Sequence, residues 1–295
     1  MRILIALDGS APSDRARELA AAIPWPAGST IRLVSVVQQQ FEMLAVPGLA
    51  ATGAELQELE APQIEASTAM LAEAAATLAG EGRQVETAVL IGRPASTIVD
   101  DATRFAADLV IAGSRGHGTL ASMVLGSVSA EVVDHAPCPV LVARTAQVRK
   151  VMLAEDGSAS AARALALVAD WPIFAGSSVT VVSVSDVVLP WSLGMVPNLD
   201  VALLDTYDAA AEEDLAERRR LVSDAVARLK ATGREAKGIV LKGYPSALLV
   251  DEAREQGADL VVLGSRGLTG LTRLVLGSVA RNVLHHSPSS VLIVR

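Results

Sequence analysis

The sequence has little cysteine, and this shortage limits the kinds of protein that it can be. Cys138 is the single cysteine among 295 residues, so an intrachain disulfide cannot form. A secreted fold stapled by disulfides is therefore excluded. Cys138 lies between two prolines at the start of an apolar run, which favours a structural role for its thiol.

The sequence also lacks an excess of positive charge. Its formal net charge is −8, and its densest basic run, residues 218–220, stands among several acidic residues. A protein that binds a polyphosphate duplex attracts it with a strong positive field. This chain has no such field, so binding to nucleic acid is not expected. The run is interpreted instead as a solvated helix face that carries charges of both signs.

Long uninterrupted hydrophobic runs are missing as well. The apolar segment at the N-terminus reaches Asp8 too early to be a signal peptide. The longest nearly uncharged stretch, residues 174–199, contains Asp186 and two prolines and is typical of a strand followed by a loop. These features favour a cytoplasmic protein that does not enter a membrane.

What the sequence does contain is a repeat of itself. Residues 107–144 align with residues 258–295 at an offset of 151, and 20 of the 38 positions are identical. The segment that ends in Asp8–Gly9–Ser10 returns at an offset of 148 as the segment that ends in Asp156–Gly157–Ser158. The repeat predicts two homologous domains, over residues 1–145 and 149–295. The change of offset predicts a loop of variable length between about residues 37 and 71.

Each repeat alternates short apolar runs of strand type with segments of helical periodicity. Strands are predicted at 2–7, 31–37, 84–90, 109–112 and 140–143, and in the second repeat at 151–154, 179–185, 236–241, 260–263 and 291–294. Helices are predicted between them, for example at 13–23, 55–79, 95–105 and 127–135. The alternation predicts an α/β fold of two tandem doubly wound parallel sheets with helices on both faces.

The residues that could bind a ligand lie at the predicted carboxyl ends of strands, where doubly wound sheets bind their ligands. Asp8 and Asp156 end the first strand of each repeat, and Gly113 and Gly264 end the fourth. Both repeats then keep Gly-Ser-Arg-Gly, nine further residues, and Gly-Ser directly before a predicted helix. Glycine lets backbone N–H groups approach a phosphate and a helix N-terminus attracts an anion, so this loop is expected to hold an anion.

Structural alternatives exist for the same residues. The glycines could form ordinary turns, Ser127 and Ser278 are placed as N-caps of the following helices, and Asp8 could open an Asx-turn. Duplication of the whole pattern at fixed spacing favours a binding role for the loop.

The pattern Gly-x2-Gly-x9-Gly-Ser, with Asp-Gly-Ser after each first strand, resembles the nucleotide motif of the ATP-binding class of universal stress proteins. The resemblance covers both repeats and nearly the whole chain. It implies a Rossmann-like fold of five strands in the order 3-2-1-4-5, of the adenine-nucleotide α-hydrolase type. It also implies ATP as the ligand, with Mg²⁺ carried by the nucleotide and without a metal site of the protein itself.

The resemblance also implies which residues contact the nucleotide. In the first repeat, the residues toward adenosine are Ala6, Asp8 and Val36, those toward the phosphates are Gly113, Arg115, Gly116, Gly126, Ser127 and Val128, and Ala112 completes the set. In the second repeat, the residues toward adenosine are Ala154, Asp156 and Val184, those toward the phosphates are Gly264, Arg266, Gly267, Gly277, Ser278 and Val279, and Leu263 completes the set.

The two repeats differ close to these residues. Glu155 stands where the first repeat has Leu7 and puts a negative charge beside the expected ligand. His117–Gly118 follows the first glycine loop, whereas Leu268–Thr269 follows the second. The two sites are therefore expected to differ in affinity, with the second site the weaker.

Other nucleotide motifs are missing. Neither Gly-x-Gly-x-x-Gly after the first strand nor a glycine loop ending in Gly-Lys-Ser/Thr occurs, so the dinucleotide-binding and Walker types are excluded. The signatures of adenylyl-transferring enzymes of this architecture, His-x-Gly-His and Ser-Gly-Gly-x-Asp-Ser, are missing too. His117 is interpreted as a loop residue, and His285 and His286 as the end of a helix.

The sequence thus predicts a stress-response protein with two ATP sites per chain, which acts as a nucleotide-dependent regulatory module toward a protein partner that the sequence does not identify. The alternative is an ATP-consuming enzyme of the same fold, either a slow ATPase or an adenylyl transferase. The fifth strand is the edge of each predicted sheet, so the domains are expected to pair there as an internal pseudo-dimer. A homodimer of whole chains is left open.

Overall fold

Most strands of the computed structural model are short, mainly apolar runs that are covered on both faces, whereas the two that begin at Arg83 and Glu235 are partly exposed. The structure describes residues 1–38, 53–80, 82–116, 125–187, 201–267 and 276–295, with side chains of the second and sixth helices from Glu60 and Asp205 onward. In the first strand, Ile3, Leu4 and Ile5 are all fully buried. Continuous burial of this kind is typical of a parallel sheet with helices on both sides.

The described residues divide into two units, Met1–Gln147 and Val148–Arg295. The first unit contains β1 (Arg2–Ala6), α1 (Ala11–Ala22), β2 (Ser29–Val37), α2 (Gly53–Leu78), β3 (Arg83–Ile91), α3 (Pro94–Arg104), β4 (Leu109–Gly113), α4 (Ser127–His135) and β5 (Val140–Ala143). The second unit contains β6 (Lys150–Ala154), α5 (Ala159–Asp170), a 3₁₀ turn (Pro172–Phe174), β7 (Ser178–Ser185), α6 (Val201–Ala231), β8 (Glu235–Lys242), α7 (Pro245–Glu255), β9 (Leu260–Gly264), α8 (Ser278–His286) and β10 (Ser290–Val294). The predicted strands and helices are confirmed, with bounds that differ by at most two residues.

The strands of each unit are parallel, and their order confirms the expected 3-2-1-4-5 arrangement. The order is β3-β2-β1-β4-β5 in the first unit and β8-β7-β6-β9-β10 in the second. Ala6 pairs with Ala112 across β1 and β4, and Gly113 pairs with Ala143 across β4 and β5. Because the direction of winding reverses between the first and fourth strands, a space for a ligand opens beyond their carboxyl ends.

The N-termini of α4 and α8 differ from the prediction. Gly126 and Gly277 are the N-caps, with extended backbone angles of φ −66°, ψ 148° and φ −61°, ψ 154°. The prediction that Ser127 and Ser278 are N-caps is therefore wrong. Each serine is the first helical residue, because the glycine before it carries the non-helical conformation that a cap requires.

The basic run on α6 also departs from the prediction. Arg219 and Arg220 are exposed as expected, but the side chain of Arg218 is only 11% exposed. Arg218 pairs with Asp214 at 3.0 Å, one helical turn earlier, and donates a hydrogen bond to the backbone oxygen of Asp156 at 2.9 Å. The interpretation as a solvated face is wrong for Arg218, because helical spacing turns it toward the loop after β6.

Several predictions fall outside the described residues. These are residues 39–52 of the interval predicted to hold the variable loop, the loop part of the uncharged stretch (188–200), and the segments that contain His117–Gly118 and Leu268–Thr269. Among the residues that are described, no helix combines the length and the apolar character needed to cross a membrane.

Candidate nucleotide site

A cleft opens at the carboxyl ends of β1 and β4 in the first unit. Its volume is about 530 Å³, which is within the range of small-molecule sites. All ten residues assigned to a ligand in the first repeat line it: Ala6, Asp8, Val36, Ala112, Gly113, Arg115, Gly116, Gly126, Ser127 and Val128. They come from separate segments of the chain, so the sheet topology brings them together.

Asp8 is held at the cleft by its own turn. Its Oδ1 accepts hydrogen bonds from Ser10 N at 3.0 Å and from Ser10 Oγ at 2.6 Å. This is the Asx-turn that the sequence left open as an alternative. Its Oδ2 lies 2.6 Å from the position that a Cβ on Gly116 would occupy. The turn therefore directs the carboxylate across the cleft toward the glycine loop, so the turn and a ligand role are compatible.

The first glycine of the loop serves the packing of the unit. A Cβ on Gly113 would lie 2.7 Å from the backbone of Pro12 and 2.8 Å from Ser13 N, at the start of α1. A Cβ on Gly264 would lie 2.7 Å from the backbone of Ser160. Real Cβ atoms do not approach other atoms so closely, so glycine is required here for helix α1 to contact the sheet. Room for a phosphate, the expected reason for this glycine, is not needed to explain it.

The N-terminus of α4 supplies hydrogen-bond donors to the cleft. Gly126 provides no side-chain cap, so the N–H groups of the first turn of the helix are directed at the cleft and favour an anion there. Ser127 and Val128, which begin this turn, are both exposed. Ser129 Oγ donates to Gly113 O at 2.6 Å and ties the helix to the end of β4.

Two arginines add positive charge at the same end. Arg115 lines the cleft, and Arg144 follows Ala143, the residue paired with Gly113. Burial, and then the charge of Arg115, lower the pKa of the Arg144 guanidinium to about 10, so it stays cationic at neutral pH. An anion at the loop would be attracted to both guanidinium groups. Arg144 was not assigned to the site from the sequence. The second repeat has an arginine, Arg295, at the aligned position, and this repetition could have indicated a shared role.

The remaining lining of the cleft is mostly apolar and was also missed. It consists of Leu7, Ser13, Val34, Gln38, Pro94, Ile98, Leu125 and Ser129. In the sequence most of these are ordinary core residues, and only their position beyond the sheet gives them a place in the site. A cleft that combines this apolar wall with a polar, glycine-rich loop suits a ligand with a flat apolar part and an anionic part.

The second unit keeps the same backbone frame. Asp156 Oδ1 accepts a hydrogen bond from Ser158 N at 2.9 Å, and a Cβ on Gly267 would lie 2.9 Å from Asp156 Oδ2. Gly277 N donates to Ser265 O at 2.9 Å, the same bond that joins the loop to α4 in the first unit. The residues assigned in the second repeat thus take the corresponding places at the ends of their strands and loop: Ala154, Asp156, Val184, Leu263, Gly264, Arg266, Gly267, Gly277, Ser278 and Val279.

Glu155 is the main departure from this shared frame. Its backbone N–H and that of Leu7 each donate to a carbonyl of the neighbouring strand at 2.9 Å, so the two side chains leave equivalent positions. Glu155 Oε1 accepts a hydrogen bond from Gly157 N at 2.9 Å. Burial raises the pKa of Glu155; the hydrogen bond from Gly157 opposes this shift and the charge of Asp156 adds to it. The carboxyl therefore holds its proton more tightly than an ordinary glutamate does.

Known proteins match the whole chain. The model of the universal stress protein family matches residues 1–144 and again residues 147–295. Universal stress protein Rv2005c of Mycobacterium tuberculosis is 30% identical over 306 residues, which cover 99% of this chain and 96% of that protein. A universal stress protein of Thermus aquaticus is 36% identical over 142 residues, 48% of this chain and 97% of that protein. Among solved structures, a universal stress protein from Archaeoglobus fulgidus covers 100% of this chain and 98% of its own, with a TM-score of 0.67 and 20% identity.

Proposed function

Because the chain belongs to the universal stress protein family, whose model matches both repeats, we propose that it is a nucleotide-binding regulatory module that holds one ATP in each unit. The observation that carries the proposal is the cleft of the first unit, which is lined by several apolar side chains together with a glycine loop, a helix N-terminus and Arg115. A nucleotide has the same two parts, a flat base and an anionic tail.

We propose one orientation for ATP in the cleft. The phosphates would lie at the loop and the start of α4, near Arg115 and Arg144, and the ribose near Asp8, whose carboxylate can accept from a hydroxyl group. The base would lie against the apolar wall. Within the described ranges, no group of three or more His, Cys, Asp or Glu residues is placed to hold a metal ion. We therefore expect Mg²⁺ to enter with the nucleotide, where it neutralises phosphate charge.

The chemistry of the cleft favours binding over catalysis. Asp8 is the one carboxylate among its described lining residues, and its Oδ1 is engaged by Ser10. A catalyst of phosphoryl or adenylyl transfer would need a positioned base or nucleophile in addition to the phosphate contacts. A binding module that changes its surface when ATP is present, located in the cytoplasm, is the function that we propose.

The proposal is tested with a charge placed at each helix N-terminus. Ser127→Glu and Ser278→Glu keep exposed or half-exposed positions and suit the start of a helix, but their carboxylates would repel phosphates. Calorimetry should give two ATP per wild-type chain, one for either variant and none for the double variant. Ser127→Ala and Ser278→Ala are the controls and should keep two sites.

Two further measurements complete the test. Mass spectrometry of small molecules released from the denatured protein should identify an adenine nucleotide. Sustained formation of ADP or of an adenylylated product would favour the alternative of an ATP-consuming enzyme. Two ATP bound to the double glutamate variant would contradict the assignment of the phosphates.

We also propose that the edge strands β5 and β10 are the surfaces through which such units pair, within a chain or between chains. Each is one of the two end strands in the order of its own unit, and an edge strand offers N–H and C=O groups to a partner. Leu141→Lys and Leu292→Lys would place charges on these strands. An unchanged hydrodynamic radius, with unchanged stability and unchanged nucleotide binding, would contradict the pairing.

A further inference from the structure

The two units differ most in chemistry at the residue that follows the first strand. Leu7 lines the cleft of the first unit and is 5% exposed. Glu155 leaves the equivalent backbone position, is 6% exposed, and turns one carboxyl oxygen to Gly157 N at 2.9 Å. Hydrogen bonds from the backbone of Gly157 and Asp156 only partly replace the hydration that a carboxylate has in water, so burial still favours the neutral form of this carboxyl.

The charged groups around Glu155 do not offset its charge. Asp156, the next residue, adds negative charge. On α6, Arg218 forms an ion pair with Asp214, and it contacts the turn through the backbone oxygen of Asp156. Arg266, from the loop after β9, meets this corner through its backbone carbonyl, which accepts from a serine of the turn. The local environment therefore leaves a proton as the simplest way to neutralise Glu155.

The term second cleft denotes the positions of the second unit that correspond to the cleft of the first, at the carboxyl ends of β6 and β9. An anionic ligand bound there would increase this tendency. Phosphate groups bring further negative charge to the strand ends, and any ligand that covers the mouth removes water from the carboxyl. Both changes disfavour a carboxylate and favour a carboxylic acid. In the first cleft the same ligand meets Leu7, which has no proton to gain.

We propose that Glu155 determines the ligand preference of the second cleft: at a pH where this carboxyl is ionised in the free protein, the cleft takes up one proton at Glu155 as it binds an anionic nucleotide, and it favours ligands with fewer phosphates. The proton comes from solvent and joins a carboxylate oxygen, and no bond of the nucleotide changes. The inference rests on the proposed function, because it requires that both clefts bind a nucleotide.

The test isolates each cleft in the full-length chain. Ser127→Glu closes the first cleft so that calorimetry reports the second, and Ser278→Glu closes the second so that the first reports the titration of the ligand itself. ATP and AMP are measured at about pH 6, 7 and 8 in buffers of different ionisation enthalpy. As the pH rises, the affinity of the second cleft for ATP should fall relative to that of the first. The fall should be at most about tenfold per pH unit, because only one proton is taken up. AMP should show a smaller fall.

Substitutions at Glu155 give the matched controls. Glu155→Leu installs the residue of the first unit, and it should abolish both the additional pH dependence and the uptake of a proton. Glu155→Gln resembles the neutral acid, so its affinity for ATP should follow the pH dependence of the first cleft and should exceed that of the wild-type second cleft at about pH 8. A second cleft that binds ATP with the same pH dependence as the first, or a Glu155→Leu variant that keeps the difference, overturns the inference.

In that outcome both clefts still bind, so the proposed function survives. Absence of binding at both clefts would instead overturn the proposed function.

Discussion

The first and second units have the same strand order and the same backbone hydrogen bonds at the site, yet the second unit holds its glycine loop with more side-chain hydrogen bonds. In the first unit, Ser10 Oγ donates to Asp8 Oδ1 at 2.6 Å and lies 3.4 Å from Arg115 O. In the second, Ser158 Oγ donates to Arg266 O at 3.1 Å, and Ser160 Oγ bonds to the same carbonyl. The loop geometry is therefore set by the topology of the sheet, and the polar groups around it can change without moving it.

The helix that covers the first-strand loop shows the same kind of difference. A Cβ on Gly9 would meet Met70 Sδ at 3.4 Å, and a Cβ on Gly157 would meet Leu221 Cδ1 at 3.2 Å, so these two helix positions correspond. One turn earlier, α2 has Ser67 where α6 has Arg218. The second unit thus has a buried ion pair and a buried carboxyl at a corner where the first has neutral side chains, and this teaches that one frame can support sites of different charge.

The largest effect should come from removing the feature that both units share. Gly113→Ala should destabilise the first unit by about 2–3 kcal/mol, because the added Cβ would overlap the backbone of Pro12. Gly264→Ala should do the same in the second unit. Gly80→Ala is the control, since its Cβ would meet only the flexible end of Arg83. Hydrogen exchange of peptides from each unit measures the loss, and equal protection in the Gly113→Ala and Gly80→Ala variants would contradict the packing role.

A smaller effect should follow from making the second unit resemble the first at α6. Arg218→Ser removes one partner of an ion pair whose side chains are 11% and 15% exposed, and leaves Asp214 without its counter-ion. We expect a loss of about 2 kcal/mol in the second unit, measured by denaturant unfolding. Adding Asp214→Gln, the residue at the matching position of α2 (Gln63), should restore most of this loss. A double variant as unstable as the single one would argue that Arg218 acts through Asp156 and not through the pair.

The third comparison concerns the pH dependence of stability without a ligand. The pKa of Glu155 is raised above 4.5 in the folded unit, mainly by burial, so the native state binds this proton more tightly than the unfolded chain. Its contribution to the free energy of unfolding of the second unit therefore decreases as the pH rises through that pKa. Glu155→Gln should remove this decrease, while the first unit, with Leu7, is unchanged. Unfolding curves across about pH 5 to 8 that coincide for wild type and variant would contradict it.

The smallest effect is expected at the bond that only the second unit has. Ser160→Ala removes the hydroxyl that joins the start of α5 to Arg266 O, where the first unit has Pro12. We expect a loss of about 1 kcal/mol. Hydrogen exchange in the segment around Ser265 should become faster, with no change around Ser114. A uniform change in both units would show that the bond does not act locally.

The fold and the location of the site could be predicted because they depend on local pattern. Runs such as Ile3–Ile5 are apolar at every position, which predicts buried parallel strands. The spacing from Gly113 to Ser127 is kept in the second repeat, which predicts the position of the glycine loop. Side-chain partners depend on packing between distant elements and were not predictable in this way. The burial of Glu155 and the contact of Arg218 with Asp156 arise only once α6 covers the loop. Ser127 was misassigned because a glycine and a serine can each serve as an N-cap.

The close contact between Gly113 and the backbone of Pro12 bears on how duplicated domains diverge. This glycine contributes to the stability of the unit whether or not a ligand is bound, so it would persist in a repeat that had lost its ligand. Gly116 is different, because its missing Cβ makes room for the carboxylate of Asp8. Once a ligand was lost, Asp8 and Gly116 could be replaced together while Gly113 stayed. Among descendants of such a duplication, replacement of Asp8 and Gly116 would mark a repeat that no longer binds its ligand. The first glycine of the motif would remain in that repeat.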